Sequence, residues 1–221
     1  MKLFIGTPST GFVRATFAFS LAYFVSYFAG HRIRPEHDNQ EIGFISIEGS
    51  MIGENRDLIV EEFLKQGGSH LLFIDDDMGF AMNAVHVLAS KRQPIVGVTY
   101  RMKNPPSPFT AIHINGKDRI ETSADKTGLE EAKCIGMGLT LIEKEVFESM
   151  TRPRYLTTFN EDIQKYSTED MWFCNKARDA GYKVYVDHDA SKLVIHQGSI
   201  NYVWDKDYKT LETESRKIIE I

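Results

Sequence analysis

His70-Leu71-Leu72-Phe73-Ile74-Asp75-Asp76-Asp77-Met78 decides the reading of this chain. A short apolar run leads directly into three carboxylates. The apolar part reads as a strand buried on both faces, as in a parallel sheet. Three adjacent acids repel one another and resist desolvation, so a chain that sets them at a strand's carboxyl end usually has a cation for them. In open α/β sheets that edge is also where ligands bind. Oxygen ligands of this kind suit Mg²⁺ or Mn²⁺, with a metal-bridged phosphate as the natural partner. A solvated acidic turn after a core strand explains the same residues.

The flanking sequence alternates strands and helices. Lys2 to Gly6 reads as a strand and Thr7-Pro8-Ser9-Thr10-Gly11 as a polar turn. A helix over Val13 to Phe28 follows, then a strand over Glu41 to Glu48, a loop over Gly49 to Gly53 and a helix over Asn55 to Lys65. After the Leu71–Ile74 strand come a helix over Ala81 to Ser90 and a strand over Pro94 to Tyr100. This β-α-β-α-β-α-β order predicts a mostly parallel sheet with right-handed crossovers. Beyond Tyr100 the pattern is mixed. A Pro-rich loop, Asn104 to Pro108, precedes a hairpin around Asn115-Gly116. One strand is expected over Lys133 to Ile142, carrying Gly136-Met137-Gly138. A short helix over Glu145 to Met150 and a helix over Thr168 to Ala180 follow. Short strands over Val184–Val186 and Leu193–Ile195 and a terminal helix over Asp207 to Ile219 complete the order.

Composition sets limits. With 221 residues, 42% hydrophobic and 26% charged, the chain is expected to form one globular domain. The first half, to about residue 100, has a nucleotide-binding-type layout, the second, to about 200, is mixed, and 201–221 would be a C-terminal helix. The net charge of -5 disfavours a nucleic-acid-coating protein. Arg101, Lys103, Arg152 and Arg154 nevertheless offer a local basic rim. Cys134 and Cys174 read as buried thiols of a reducing compartment. The start of the chain lacks a signal-peptide pattern. Phe17 to Phe28 is too short to span a bilayer and reads as a buried helix. A cytoplasmic protein with no membrane span is expected. GxGxxG after the first strand and GxxxxGK[ST] are both absent, which weighs against dinucleotide and P-loop folds.

Three further features stand beside the acids. Arg56, in Asn55-Arg56-Asp57, sits in a first helical turn, where its charge opposes the helix dipole. That position makes sense if it reaches an anion in the crevice; an ion pair with Glu54 or Asp57 is the structural alternative. Ser167 and Asp170 have capping-box spacing, while Glu169 or Asp170 can equally face the crevice as a general base. His196 follows an apolar strand, where a metal ligand and an ordinary satisfied histidine are both open.

Taken together in this order, the acid run, Asn55-Arg56-Asp57, Ile135-Gly136-Met137-Gly138-Leu139, Glu169-Asp170 and His196 resemble the GT-A glycosyltransferases, especially the small bacterial and phage members of the family 2-like group. The resemblance spans Lys2 to about Gly198. It implies an α/β, Rossmann-like, mostly parallel sheet flanked by helices, with a mixed acceptor-side half. It implies sugar transfer from a nucleoside-diphosphate sugar, UDP-sugar being favoured, to a hydroxyl of a glycan, a protein or a modified nucleobase, by inverting single displacement. Thr7 and Pro8, with Ser46 or Glu48, would line the nucleoside pocket, and Arg56 would contact the nucleotide or diphosphate. Asp75 would touch the ribose or a metal-bound water, Asp77 would bind Mn²⁺ or Mg²⁺ directly, and His196 would complete the coordination. Asp76 would join the donor-binding residues, but it fills a position that is often small or neutral, which leaves open which acid holds the metal. Gly136 and Gly138 would let backbone approach the sugar, Asp170, or else Glu169, would be the base, and Trp172 would be an acceptor-stacking face or else core. The chain's stop soon after His196 fits a transferase that adds one sugar. Lys103 to Pro108 and Phe159 to Ser167 are the expected closing segments. A sugar-phosphate nucleotidyltransferase and a non-catalytic nucleotide-sugar-binding protein are the competing readings.

Overall fold

Strand β3 (His70–Ile74) lies at the middle of the molecule with all five residues buried. Its side chains alternate between the two faces of the sheet. Leu71 and Phe73 enter one hydrophobic cluster, and Leu72 and Ile74 enter the other. The continuous apolar run therefore marks a doubly covered strand, as its sequence requires.

The computed structural model describes residues 1–32, 40–103, 107–161, 164–198 and 201–202. The elements before β3 are β1 (Lys2–Ser9), α1 (Ala15–Gly30), β2 (Glu41–Glu48) and α2 (Ile52–Lys65). After it come β4 (Met78–Phe80), α3 (Ala84–Ser90), β5 (Ile95–Gly97), β6 (Ile112–His113), β7 (Leu129–Cys134), β8 (Leu139–Glu143) and α4 (Lys144–Glu148). The last are β9 (Thr158–Asn160), β10 (Lys165–Ser167), α5 (Glu169–Asp179), β11 (Val184–Asp187), α6 (His188–Ser191), β12 (Val194–Gln197) and β13 (Asn201–Tyr202). The expected helix over Asp207 to Ile219, and residues 104–106 and 162–163 of the expected closing segments, lie outside the described residues.

The central sheet has the order β2-β1-β3-β8-β5-β11-β7-β6. β1 pairs in parallel with β2 and β3, and β5 in parallel with β11. β8 runs against both β3 and β5, and β7 runs against β11 and β6. Only β7 and β8 oppose the common direction. The fold is thus the expected α/β sheet flanked by helices, with its mixed character supplied by the second half.

Three local expectations change. β1 continues through Thr7, Pro8 and Ser9, because β2 pairs with it along its whole length. β3 pairs only as far as Gly6, so beyond that point β1 has an open edge, where a residue without an N–H is tolerated. Lys133 to Ile142 is two strands: β7 ends at Cys134, and the chain turns at Gly136-Met137-Gly138 before β8. α1 is buried on one side only. Phe17, Phe24 and Phe28 face the core, while Phe19 and Tyr23 are each 65% exposed. Cys134 and Cys174 are buried free thiols, as read from the sequence. Among the described residues no helix is long and apolar enough to cross a membrane.

Phe63 of α2 ties the helix layer to the sheet. It is fully buried and meets the rings of Phe4 and Phe147 edge-on, each at 5.9 Å. Phe63→Ala should lower the unfolding free energy by about 3–5 kcal/mol, the cost of a large aromatic cavity, read by urea denaturation.

Candidate functional site

The three acids leave β3 at the sheet's carboxyl edge, and each takes a different partner. Asp75 donates its N–H to Gly138 O (3.1 Å), which sets it against the glycine turn before β8. Its Oδ1 accepts from Arg56 Nη2 at 2.9 Å. Asp76 accepts from Ser9 Oγ at 3.0 Å. Burial raises the Asp76 carboxyl above its usual range, Ser9 opposes that rise, and Asp77 and Asp75 add to it. Asp77 forms an ion pair with Lys103 through Oδ2. Its Oδ1 is buried with no hydrogen-bond donor among the described residues.

β4 explains how His196 reaches this edge from the far end of the chain. It pairs antiparallel with β12, setting His196 opposite Met78, and Gln197 N–H donates to Asp77 O at 2.9 Å. His196 Nε2 then lies 3.6 Å from Asp77 Oδ1. Its Nδ1 sits 2.8 Å from Arg101 O. A carbonyl only accepts, so Nδ1 carries the proton and Nε2 presents a lone pair. Burial lowers the His196 pKa, with Arg101 O and Asp77 opposing, which favours the neutral ring.

Arg56 does not pair with Glu54 or Asp57. Asp57 instead accepts from Arg154 N–H at 3.0 and 3.2 Å. The Arg56 side chain is 1% exposed and faces Asp75, with Nε 3.6 Å from Glu169 Oε1 and 3.9 Å from Asp170 Oδ1. Burial opposes its charge, but the three carboxylates outweigh burial and hold its proton more firmly. Gly53 allows this meeting. A Cβ there would lie 3.1 Å from Tyr155 O and 3.5 Å from Glu169 Cβ, so the starts of α2 and α5 pack closely. α2 begins at Ile52, three residues before the expected start, so Arg56 stands past its first turn and is not set against the helix dipole; Glu169 and Asp170 are in the first turn of α5, where the dipole favours them.

The helix cap of α5 is Thr168, whose hydroxyl accepts from Met171 N–H, and not Ser167. The capping-box reading of Ser167 and Asp170 therefore falls, and Asp170 is left for another partner. Desolvation pushes its carboxyl up to about 8, with Arg56 opposing and Glu169 and Asp75 reinforcing, and Met137 N–H among its donors. Asp170 retains 21% of its side-chain exposure against 11% for Glu169.

The acids border a cleft of about 150 Å³ lined also by Pro8, Ser9 and Thr10, by Gly49 and Ser50, and by Asn55. Pro8, Asp75 and Asp76 were among the expected donor-binding residues. Thr7, Ser46, Glu48 and Arg56 are not on its wall. Thr7 is buried, and its carbonyl accepts from Ser46 Oγ at 3.2 Å. Gly136 and Gly138 serve the turn itself: a Cβ on either would lie 2.6 Å from Tyr100 Oη, which accepts from Gly138 N–H. The basic rim is reduced, since Arg154 is buried against Glu61 and Arg101 stacks on Phe109. Trp172 is half-buried and donates to Pro153 O. Ser9 and Tyr100 carry no site role in the sequence reading, whereas Asn55 belongs to the segment expected to feed the donor pocket. Lys103 is expected in the basic rim and in a closing segment, and its pairing with Asp77 is what the sequence reading missed.

Among the described residues no group of three or more His, Cys, Asp or Glu is arranged to hold a metal. Asp77 and His196 face each other as a hard carboxylate oxygen and a borderline imidazole nitrogen, 3.6 Å apart.

No protein-family model matches the sequence, and a search of curated proteins gave no match. Solved structures do match. The chain is similar to A197 from STIV, with a TM-score of 0.60 and 19% identity over 90% of this chain and 86% of that one. It is also similar to GalNAc-T7, crystallised with UDP, GalNAc and Mn²⁺, with a TM-score of 0.53 and 11% identity. That match covers 85% of this chain and 42% of the other. The fold is GT-A-like.

The pH dependence of stability tests the Asp170 environment. A carboxyl at about 3.9 when unfolded and raised when folded contributes stability that is lost as pH rises from about 4 through 8. Asp170→Asn should therefore gain stability relative to wild type across that window in denaturation series. A pH-independent difference would refute the burial-driven shift.

Proposed function

We propose that the chain is a glycosyltransferase that moves a sugar from a nucleoside-diphosphate donor to an acceptor hydroxyl. The observation that carries this reading is that Asp75 and Asp77 line a cleft at the carboxyl edge of a GT-A-like sheet, while Arg56 links Asp75 to Asp170 and His196 faces Asp77. The cleft at the end of β1 takes the nucleoside, with Pro8 and Asn55 on its wall. UDP is the favoured base by likeness to GalNAc-T7.

Asp77 and His196 would hold Mn²⁺ or Mg²⁺. The buried Asp77 Oδ1 and the His196 lone pair fit a cation better than they fit each other. Such an ion supplies charge stabilisation for the departing diphosphate. Asp76 borders the same wall and adds negative charge there.

Arg56 lies behind the acids, so its part is to position Asp75, Glu169 and Asp170 rather than to touch the diphosphate. Glu169, the more buried of the pair, serves as its counter-ion. Asp170 is the base. Desolvation raises its proton affinity, so the ionised fraction, which grows as pH rises toward about 8, is a stronger base for the acceptor's proton as the hydroxyl attacks. The turn at Gly136-Met137-Gly138 donates the Met137 N–H that orients it. A base opposite the leaving group suits inversion.

Calorimetric titration of UDP with Mn²⁺ tests the donor site. Wild type should bind, and Asp77→Ala should lose at least about tenfold in affinity, the scale of one lost charge-assisted contact. No metal-dependent binding of UDP, GDP, CDP or dTDP would sink the proposal. With a competent acceptor, Asp170→Asn should lower the transfer rate about 10²- to 10⁴-fold while leaving UDP affinity near wild type, as separate rate and binding assays would read.

A further inference from the structure

We propose that Lys103 is a built-in competitor of the divalent cation, an ammonium that occupies Asp77 until metal displaces it. The inference rests on the metal-binding reading of Asp77 and His196 above. Lys103 pairs with Asp77 Oδ2, while His196 Nε2 faces Oδ1 of the same carboxylate at 3.6 Å. His196 is fixed in the tautomer that offers a lone pair, because Nδ1 lies 2.8 Å from Arg101 O. A carboxylate and a lone pair facing each other repel unless positive charge lies nearby. Here that charge is the ammonium.

The chain around Lys103 divides into a fixed part and an adjustable side chain. Arg101 is held by a bridge to Phe109, by its guanidinium 4.6 Å above the Phe109 ring and by donation to Ser107 O. Met102 N–H donates to Pro108 O at 2.8 Å. Arg101 can thus keep His196 oriented while Lys103, 35% exposed on a long flexible stem, leaves Asp77. An ammonium and a divalent ion repel strongly at contact distance, so both cannot be held on one carboxylate at full strength. Metal must displace the lysine, and its affinity in the absence of nucleotide is reduced accordingly.

The test is Mn²⁺ titration of the intact protein without nucleotide, with free Mn²⁺ read by electron paramagnetic resonance, and thermal unfolding confirming each variant's fold. Lys103→Met should bind Mn²⁺ about three- to tenfold more tightly than wild type, the range set by one partly exposed ion pair. Lys103→Arg, which keeps the charge, should stay near wild type. Arg14→Met is the control for general field effects. Arg14 is exposed, and its main-chain N–H donates to Asp76 O, so its removal takes one positive charge from the same neighbourhood. Equal tightening by Arg14→Met would overturn direct competition. Equal Mn²⁺ affinity in wild type and Lys103→Met, with binding lost in Asp77→Ala, would also overturn it and leave the metal site standing. Absence of any Asp77-dependent Mn²⁺ binding, with or without UDP, would overturn the metal reading itself.

Discussion

The buried guanidinium of Arg56 is the interaction on which the site depends. It draws together Asp75 from the end of β3 and Glu169 and Asp170 from the start of α5. These residues come from opposite halves of the chain. A charge at 1% exposure has lost its hydration, and only the three carboxylates make its burial tolerable. The converse also holds, since without Arg56 the acids would be desolvated and mutually repelling. Buried ion pairs are weak sources of net stability, so the sense of this one is geometric. It fixes where α5 begins relative to β3, and so where the Asp170 carboxyl stands relative to the cleft.

Around that centre, the carboxyl groups are differentiated by environment. Asp75 is neutralised by Arg56 and Asp77 by Lys103, while Asp76 leans on a serine hydroxyl. Asp170 is the group whose desolvation most outweighs its cationic neighbour. Setting like groups in unlike surroundings is the general way a protein assigns them separate proton affinities at one pH.

Much of this was legible in the sequence because the signals were local. The run Leu71 to Ile74 alternates perfectly between two cores, so its apolar continuity reported double burial directly. The ion partners of Arg56 do lie elsewhere, but the sequence argument for them was misplaced, since α2 begins at Ile52 and Arg56 stands past its first turn. What was not legible depended on tertiary pairing. β4 is three residues long and carries no strand signal of its own, yet its register with β12 sets His196 beside Asp77. The break between β7 and β8 depends on Tyr100, thirty-odd residues upstream, filling the space that glycines leave. Thr168 and Ser167 are both able to cap α5, and sequence spacing alone favoured the wrong one.

The insertion of β8 between β3 and β5 has a consequence for how the chain reaches this state. β5 has β8 and β11 as its sheet neighbours, so when residues 95–97 leave the ribosome none of their sheet partners exists. β3 likewise waits for residues 139–143 to cover its second edge. Closing a sheet through contacts so distant in sequence carries a large loop-closure entropy, which slows folding and leaves apolar strand edges open meanwhile. Until β8 and β11 have been made, the apolar edges of β3 and β5 lack the partners that cover them in the finished sheet.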